Sequence, residues 1–426
     1  MPEFLRTYYS DTQTDRAVRP AAQDAQSCQV AIVGGGLAAL NTALELARRQ
    51  MSVIILEAKH IGWGASGRNG GIVSPAFACD GDAISRKVGS QAATALHRLT
   101  IEGVETLRTN IQTLGLADAA PVGGLLNLRR FDQADDLKAY ADSFAKQFGY
   151  VFDYLDQSAI EEKLSTRRYV HGLRDAQAFH IHPLNYLRGL AREFERLGGR
   201  IYEHSLVVSH QLHGPSKRLT VQTGAVVDAQ TVVFATGGYT GGLVPRLQRA
   251  ILPIATYMMI SEPAPELLAT VIKTQEAVLD DRRASDYYRL VEGGKRLLWG
   301  GRITTRAASV EGVARELRRE MIGAYPQLAG LKTDLAWSGL MGYARHLMPQ
   351  IGQMSPDVWH CTAFGGHGLN TTAIAGKVLA EAIFKETDRI SMFSPFGLNW
   401  AGGPIGLAAA QLTYWKLQAQ DWWRER

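Results

Sequence analysis

Three glycine-rich stretches carry the residues that could do chemistry. In VAIVGGGLAAL, Gly34, Gly36 and Ala39 fit the pattern G-x-G-x-x-G/A. Between a strand and a helix, this spacing allows a tight turn at Gly34 and close backbone approach to a diphosphate at Gly36. The small Ala39 lets helix and strand pack. A helix that starts there aims unpaired N–H groups and a partial positive charge at the anion, beginning with Leu37 and Ala38. Glu57 stands 57 − 36 = 21 positions after Gly36, near the spacing of about 20 at which an acid bonds ribose hydroxyls. Ala58 and Lys59 follow it and count with it as cofactor-side residues. The chemistry is that of holding a dinucleotide.

The second stretch, GWGASGRNGG (62–71), and the strand end ATGG (235–238) favour FAD over a nicotinamide cofactor. Gly64 and Ala65 would bring backbone N–H groups to the flavin and pyrophosphate side. Ser66 and Arg68 are placed to contact phosphate, and Asn69, Gly70 and Gly71 to lie against the ring. Thr236 and Gly237 end a strand where adenosine needs room. The third stretch, AFGGHGLN (363–370), turns from a strand into a helix. Gly366, His367, Gly368 and Leu369 would face the flavin's pyrimidine edge, where a helix start stabilises the negative charge of the reduced ring. His367 either adds a hydrogen bond there or is a turn residue bonded to backbone.

The elements around these stretches read as follows. QVAIV and MSVIILEA are buried parallel strands flanking the helix LAALNTALELARR, one βαβ unit. Helices are expected around 86–116, 133–148 and 182–199, the last ending in a glycine cap. GGLLNL, RIYEHSLVVSH, RLTVQTG and TVVFATGG read as strands, as do ILPIATYMMISEP, SDYYRLVEGG and RLLWGGRITT. VARELRREMIGAYPQL and GLAAAQLTYWKLQAQDWWRER read as helices. Residues 1–27 read as an irregular arm. The expected fold is α/β, α+β overall: a Rossmann-like FAD-binding domain from 28–110, 171–245 and 336–390. An antiparallel-sheet substrate domain from 111–170 and 246–335 is inserted into it, and 391–426 form a helical tail.

Composition narrows the class. The chain has 426 residues, 46 basic and 41 acidic, a net charge of +5. So mild an excess, without a basic-aromatic stripe, does not call for nucleic acid. Three cysteines, none in a CxxC pair, argue against a disulfide framework or a zinc site and for a reducing compartment. The HxH at His180–His182 leads into a helix through Pro183, and no metal site is expected. The N-terminus lacks an apolar signal core, and ILPIATYMMI is too short to span a bilayer. The expectation is a cytoplasmic enzyme. Its C-terminal helix, with Trp415, Trp422 and Trp423, is expected to pack on the protein or a second copy, with contact to a membrane surface as the alternative.

Together the GGG…E fingerprint, GWGASGRNGG, ATGG and the GGHG turn resemble the FAD-dependent amine and amino-acid oxidoreductases of the D-amino-acid oxidase-like (DAO) family. The likeness is greatest to its gamma-glutamylputrescine oxidase branch, which carries a similar TYYSDT-like arm (7–12) and ASGRNGG loop. The resemblance implies hydride transfer from the carbon beside an amine nitrogen to flavin N5, followed by imine hydrolysis. Val207 and Gly339 join the cofactor side on this basis. The family segment TxDxxPxIG reads ARHLMPQIG here, with His346 in place of the acid. No cysteine precedes it in WSGLMGYAR, so FAD is expected to be non-covalent. Where a related branch places an oxygen-activating lysine, this chain has Trp299.

On the substrate side, aromatic walls would keep an amine neutral. Tyr257, Tyr288, Trp299 and Trp337 are the candidates, and Arg302, ahead of Arg289, is the candidate clamp for a substrate carboxylate. Three readings stand: an oxidase, a dehydrogenase passing electrons to a quinone or carrier protein, and a flavin-binding subunit with little catalysis of its own.

Overall fold

Two sheets divide the chain in the computed structural model, which describes residues 6–282, 286–305 and 308–425. The first sheet runs in the order Gln350–Ser355, Val358–Thr362, Val226–Phe234, Gln26–Val33, Val53–Leu56, Arg200–Tyr202. The last five strands are parallel to one another; Gln350–Ser355 is antiparallel to its neighbour. Gln26–Val33 ends in four buried residues and all of Val53–Leu56 is buried. Such two-sided burial is what a parallel sheet covered on both faces requires. Helices Leu37–Arg48, Pro183–Arg196 and Gly368–Phe384 share a core with one face. Gly376 is essential to that layer, because a Cβ there would lie 2.6 Å from the carbonyl carbon of Asn41.

The second sheet runs Thr333–Tyr343, Leu252–Ser261, Arg296–Thr304, Tyr287–Val291, Ala277–Leu279, Val122–Arg129, His171–His180, Ile72–Val73. It is antiparallel except where Ala277–Leu279 pairs with Val122–Arg129. Helix Val310–Ala324 packs Val313, Leu317 and Met321 on one face, against Tyr257, Met259, Tyr288 and Trp299. Two expected domain boundaries shift. His171–His180 and Thr333–Tyr343 hydrogen-bond into this second sheet, although the sequence places 171 and 336 at the starts of segments of the first unit.

The arm is more ordered than its sequence suggests. Thr7 and Ser10 form a reciprocal capping box around the short helix Tyr8–Asp11. Tyr8 and Tyr9 are buried, and Arg19 forks onto Glu195 at 2.7 and 2.8 Å. Within the expected irregular arm, residues 7–12 therefore form a packed strap. The tail forms the helix Gly403–Arg424, as expected.

Candidate functional site

A cavity of about 410 Å³ opens between the two sheets, and the three glycine stretches meet in it. The first stretch leaves strand Gln26–Val33 at Gly34, whose φ is +110° and whose N–H donates to Leu56 O at 2.9 Å. Gly36 is the N-cap of helix Leu37–Arg48, with no side-chain cap of its own. Ser66 substitutes from the second stretch, its Oγ accepting from Leu37 N at 3.0 Å. A Cβ on Gly36 would lie 2.8 Å from that oxygen. Glu57 Oε2 accepts from Gly35 N at 2.6 Å and Oε1 from Lys59 N at 2.8 Å. Burial raises its pKa against the pull of these N–H groups.

The second stretch folds on itself through Asn69. Its amide donates to Ala65 O and Ser66 O, and its Oδ1 accepts from Gly71 N. Arg68 is 6 % exposed. Its guanidinium lies 4.6 Å over the Trp63 ring and donates to Ser338 O at 3.3 Å, and burial lowers its pKa. Among the described lining residues Arg68 is the one permanent cation and Glu57 the one carboxylate.

The third stretch turns with Ala363 and Gly365 at positive φ, +59° and +60°. His367 is the N-cap position of helix Gly368–Phe384 and makes no capping bond. Its Nδ1 finds no partner among the described residues, and burial holds its pKa down at about 4, so the ring is neutral. Two long helices thus begin on one cavity with no cap from their own N-cap residues, each presenting N–H groups and a partial positive charge. That pairing, with Arg68 lining the same cavity, suits an extended dinucleotide with a negatively charged ring, as FAD is when reduced.

The structure gathers most of the expected cofactor residues at this cavity. Gly34, Gly36, Leu37, Ala38 and Glu57 line it, as do Gly64 to Ser66 and Arg68 to Gly71. Thr236, Gly237 and Gly339 line it, and so do Gly366 to Leu369. Ala58, Lys59 and Val207 do not: Lys59 is exposed on the far side of Glu57, and Val207 is buried in an apolar core with Ile54 and Leu56.

The expected substrate residues fare differently. Tyr257 and Tyr288 face helix Val310–Ala324, and Tyr288 stacks on Trp299 at 4.2 Å and bonds Tyr325. They are core, not cavity wall, and Trp299 goes with them. Trp337 is fully buried under Tyr9, 5.8 Å away edge-on, and donates Nε1–H to Arg68 O at 3.0 Å; it supports the loop from behind. Arg302 is the extra residue of a bulge, since Tyr257 pairs with Gly301 and Thr256 with Ile303. Its φ is +57°, and its side chain turns to Glu320 at 2.7 Å. The acid holds it away from any substrate carboxylate. Arg289 is also engaged, by backbone and by Tyr9.

The walls that do reach the cavity are Thr256, Leu279, Tyr287, Ile303, Tyr343 and Phe364. Tyr287 and Tyr343 are pushed up by burial, Tyr343 to about 12, so both phenols stay protonated. Tyr239, edge-on to Trp63, adds a wall and accepts from Leu340 N at 3.1 Å. His346 acts as a turn residue: its Nδ1 accepts from Met348 N at 3.2 Å, the bond to a residue two positions on that an aspartate makes. Its Nε2–H then donates to Gly397 O at 3.2 Å, tying the turn to the tail.

Comparison with known proteins agrees with this geometry. The family model described as "DAO: FAD dependent oxidoreductase" matches residues 29–382. Gamma-glutamylputrescine oxidoreductase of Escherichia coli (strain K12) is 32% identical over 396 residues, 92% of each chain. A probable oxidoreductase, OrdL, of Haemophilus influenzae is 31% identical over 401 residues, 92% of this chain and 91% of its own. Among solved structures, glycine oxidase from Geobacillus kaustophilus superposes with a TM-score of 0.73 at 21% identity, covering 88% of this chain and 99% of its own. The chain belongs to the DAO family of FAD-dependent oxidoreductases.

Proposed function

We propose that this enzyme oxidises the C–N bond of a primary or secondary amine, using non-covalently held FAD. The substrate would be gamma-glutamylputrescine-like, a polyamine, or an N-methyl or D-amino acid. One observation carries the reading: a single cavity joins two helix starts and Arg68 to walls that are aromatic and apolar. Bound FAD would supply the hydride acceptor. Gly34, Gly36, Leu37 and Ala38 would hold its diphosphate, Glu57 a ribose, and Ser66 to Gly71 with Gly366 to Leu369 the ring.

The walls do the rest. An ammonium cannot release a hydride from the neighbouring carbon, because its nitrogen has no lone pair to form the C=N bond. Ile303, Leu279 and Phe364 exclude water and disfavour the charged amine. Protonated Tyr287 and Tyr343 can donate hydrogen bonds that orient it. Two electrons and one proton leave as hydride, the iminium loses a proton, and water hydrolyses the imine. The Cys361 thiol borders the cavity, but burial raises its pKa to about 12, and a thiol in that state is a poor nucleophile toward a cofactor. No helix among the described residues is long and apolar enough to cross a membrane; the proposed location is the cytoplasm.

The test is the absorbance spectrum of purified protein under anaerobic conditions, before and after gamma-glutamylated putrescine, polyamines, sarcosine and D-amino acids. A yellow protein bleached by one amine is the expected result. A yellow protein bleached by none of them refutes the substrate reading, and a colourless one refutes the cofactor reading. Peroxide formation on admitting air separates an oxidase from a dehydrogenase.

A further inference from the structure

Arg289 lies on strand Tyr287–Val291, two residues after the cavity-lining Tyr287 and so on the same face of the strand, and is 5 % exposed. Four of its five donors are used. Nε bonds Gly70 O at 2.8 Å, Nη1 bonds His180 Nδ1 at 2.9 Å, and Nη2 bonds Ile181 O at 2.8 Å and Tyr9 OH at 3.1 Å. Every acceptor is uncharged. Burial raises the Tyr9 phenol, keeping it protonated, and burial plus Arg289 itself lowers His180 to about 3, keeping it neutral. A buried guanidinium without a carboxylate is an expensive arrangement, since removing a charge from water is ordinarily offset by an ion pair. Two other buried arginines of this protein are ion-paired, Arg19 with Glu195 and Arg130 with Asp281, whereas Arg68 and Arg188 donate to backbone carbonyls.

The place of this charge suggests its use. Gly70 and Gly71 line the cavity, and a Cβ on Gly71 would lie 2.7 Å from Arg289 Nη2. The guanidinium is therefore directly behind the wall, with one layer of glycine backbone between. We propose that Arg289 is a positioning residue that holds the Gly70–Gly71 wall and stabilises, through it, the negative charge a bound flavin gains on reduction. This rests on the FAD reading above. Taking up two electrons and one proton leaves the ring with one net negative charge. At an effective dielectric constant of about 20, a fixed cation nearby favours that state by about tenfold to a hundredfold. For a two-electron couple this is ~30–60 mV.

His180 provides a variant that keeps the arginine in place. His180→Asp sets a carboxylate where Nδ1 now accepts from Nη1; His180→Asn sets a neutral oxygen there. Both lose the bond from Nε2 to Gln275 O at 2.9 Å, so they share any structural cost. The experiment is a reductive titration of each FAD-loaded protein against a reference dye, with FAD content measured first. His180→Asp and Arg289→Met are expected to lower the potential by ~30–60 mV. His180→Asn and Arg289→Lys are expected to stay within threefold of wild type in the oxidised-to-reduced equilibrium. If His180→Asp matches His180→Asn, the charge has no such role and the proposal falls, whether or not Arg289→Met folds. If wild-type protein carries no FAD, it is the cofactor reading that fails.

Discussion

Gly34→Ala tests how closely the cavity depends on one backbone contact. Two effects add at this position. The first is conformational: φ is +110°, a region that L side chains rarely enter, at about 1–3 kcal/mol. The second is steric. The new Cβ would sit 2.7 Å from Ala235 O and 3.0 Å from Ala235 C, both backbone atoms of the neighbouring strand end, so no side chain can swing aside. Relief requires the turn to move by about half an ångström away from Ala235–Thr236, at about 1–3 kcal/mol. Taken together, about 3 kcal/mol corresponds to a Tm lower by about 3 °C in a chain of this size. The same displacement misaligns the N–H groups offered to a diphosphate. Losing two hydrogen bonds of about 1 kcal/mol each weakens FAD binding by about 30-fold. Gly224→Ala is the control: its φ is +92°, but an added Cβ meets nothing within 4 Å. It should lower Tm and leave FAD affinity unchanged. Titrating apo-protein with FAD by fluorescence, alongside calorimetry, reads both quantities. Should Gly34→Ala bind FAD as wild type does while losing stability only as Gly224→Ala does, the close approach to Ala235 is irrelevant to the site.

Two further outcomes are expected. Arg68→Lys keeps a charge but loses the stack on Trp63 and the reach to Ser338 O, and should weaken FAD binding about tenfold, with Arg68→Met weaker still; equal affinities in the same fluorescence titration would remove Arg68 from the cofactor side. Burial holds His360 at about 4 in the folded chain against about 6.5 unfolded, so its contribution is complete above pH 6.5 and is lost as pH falls toward 4. At pH 5 the loss is about 2 kcal/mol, and His360→Gln should flatten the fall of Tm between pH 7 and 5; an unchanged slope refutes the assignment.

The cofactor half of the site was legible because its physics is local. A tight turn, a close approach and a helix start each demand glycine or a small residue at a fixed offset, and GGGLAA, GASGRNGG and FGGHG meet those demands within a dozen residues of chain. Asn69 and Ser66 show the limit of that reading. Both are polar residues in the right loop, yet Asn69 serves the loop's own fold and Ser66 caps a helix from outside. The strap at residues 7–12 was missed because its helix is one turn long and is held by burial of Tyr8 and Tyr9, a tertiary effect with no periodic signature. The long strand Thr333–Tyr343 was missed for a related reason: glycines 339 and 342 lower its strand propensity. They belong there because a Cβ at Gly342 would crowd Gly238 N at 3.1 Å.

The substrate half failed in a regular way. The sequence reading chose Tyr257, Tyr288 and Arg302, and the cavity takes Thr256, Tyr287 and Ile303. Each choice is one residue out of phase on its own strand. Side chains alternate faces with a period of two, so a strand recognised correctly still leaves two candidate faces. Amphipathic alternation normally decides between them, but here both faces are buried: one under helix Val310–Ala324, the other against the first unit. YMMI is apolar throughout, and YYRLV is interrupted only by Arg289, which is itself buried, so neither shows a polar face that would set the phase. Cross-strand partners do carry one. Tyr287 pairs with Gly300, where an added Cβ would strike the Tyr287 ring at 2.2 Å, whereas Tyr288 pairs with Trp299 in a stack. A tyrosine that needs a glycine opposite it lies across the sheet toward open space; a tyrosine that needs a tryptophan is part of a core. Large-against-small pairing across WGG is therefore the signal that would have set the phase, and it requires the pairing of two strands to be known before either can be read.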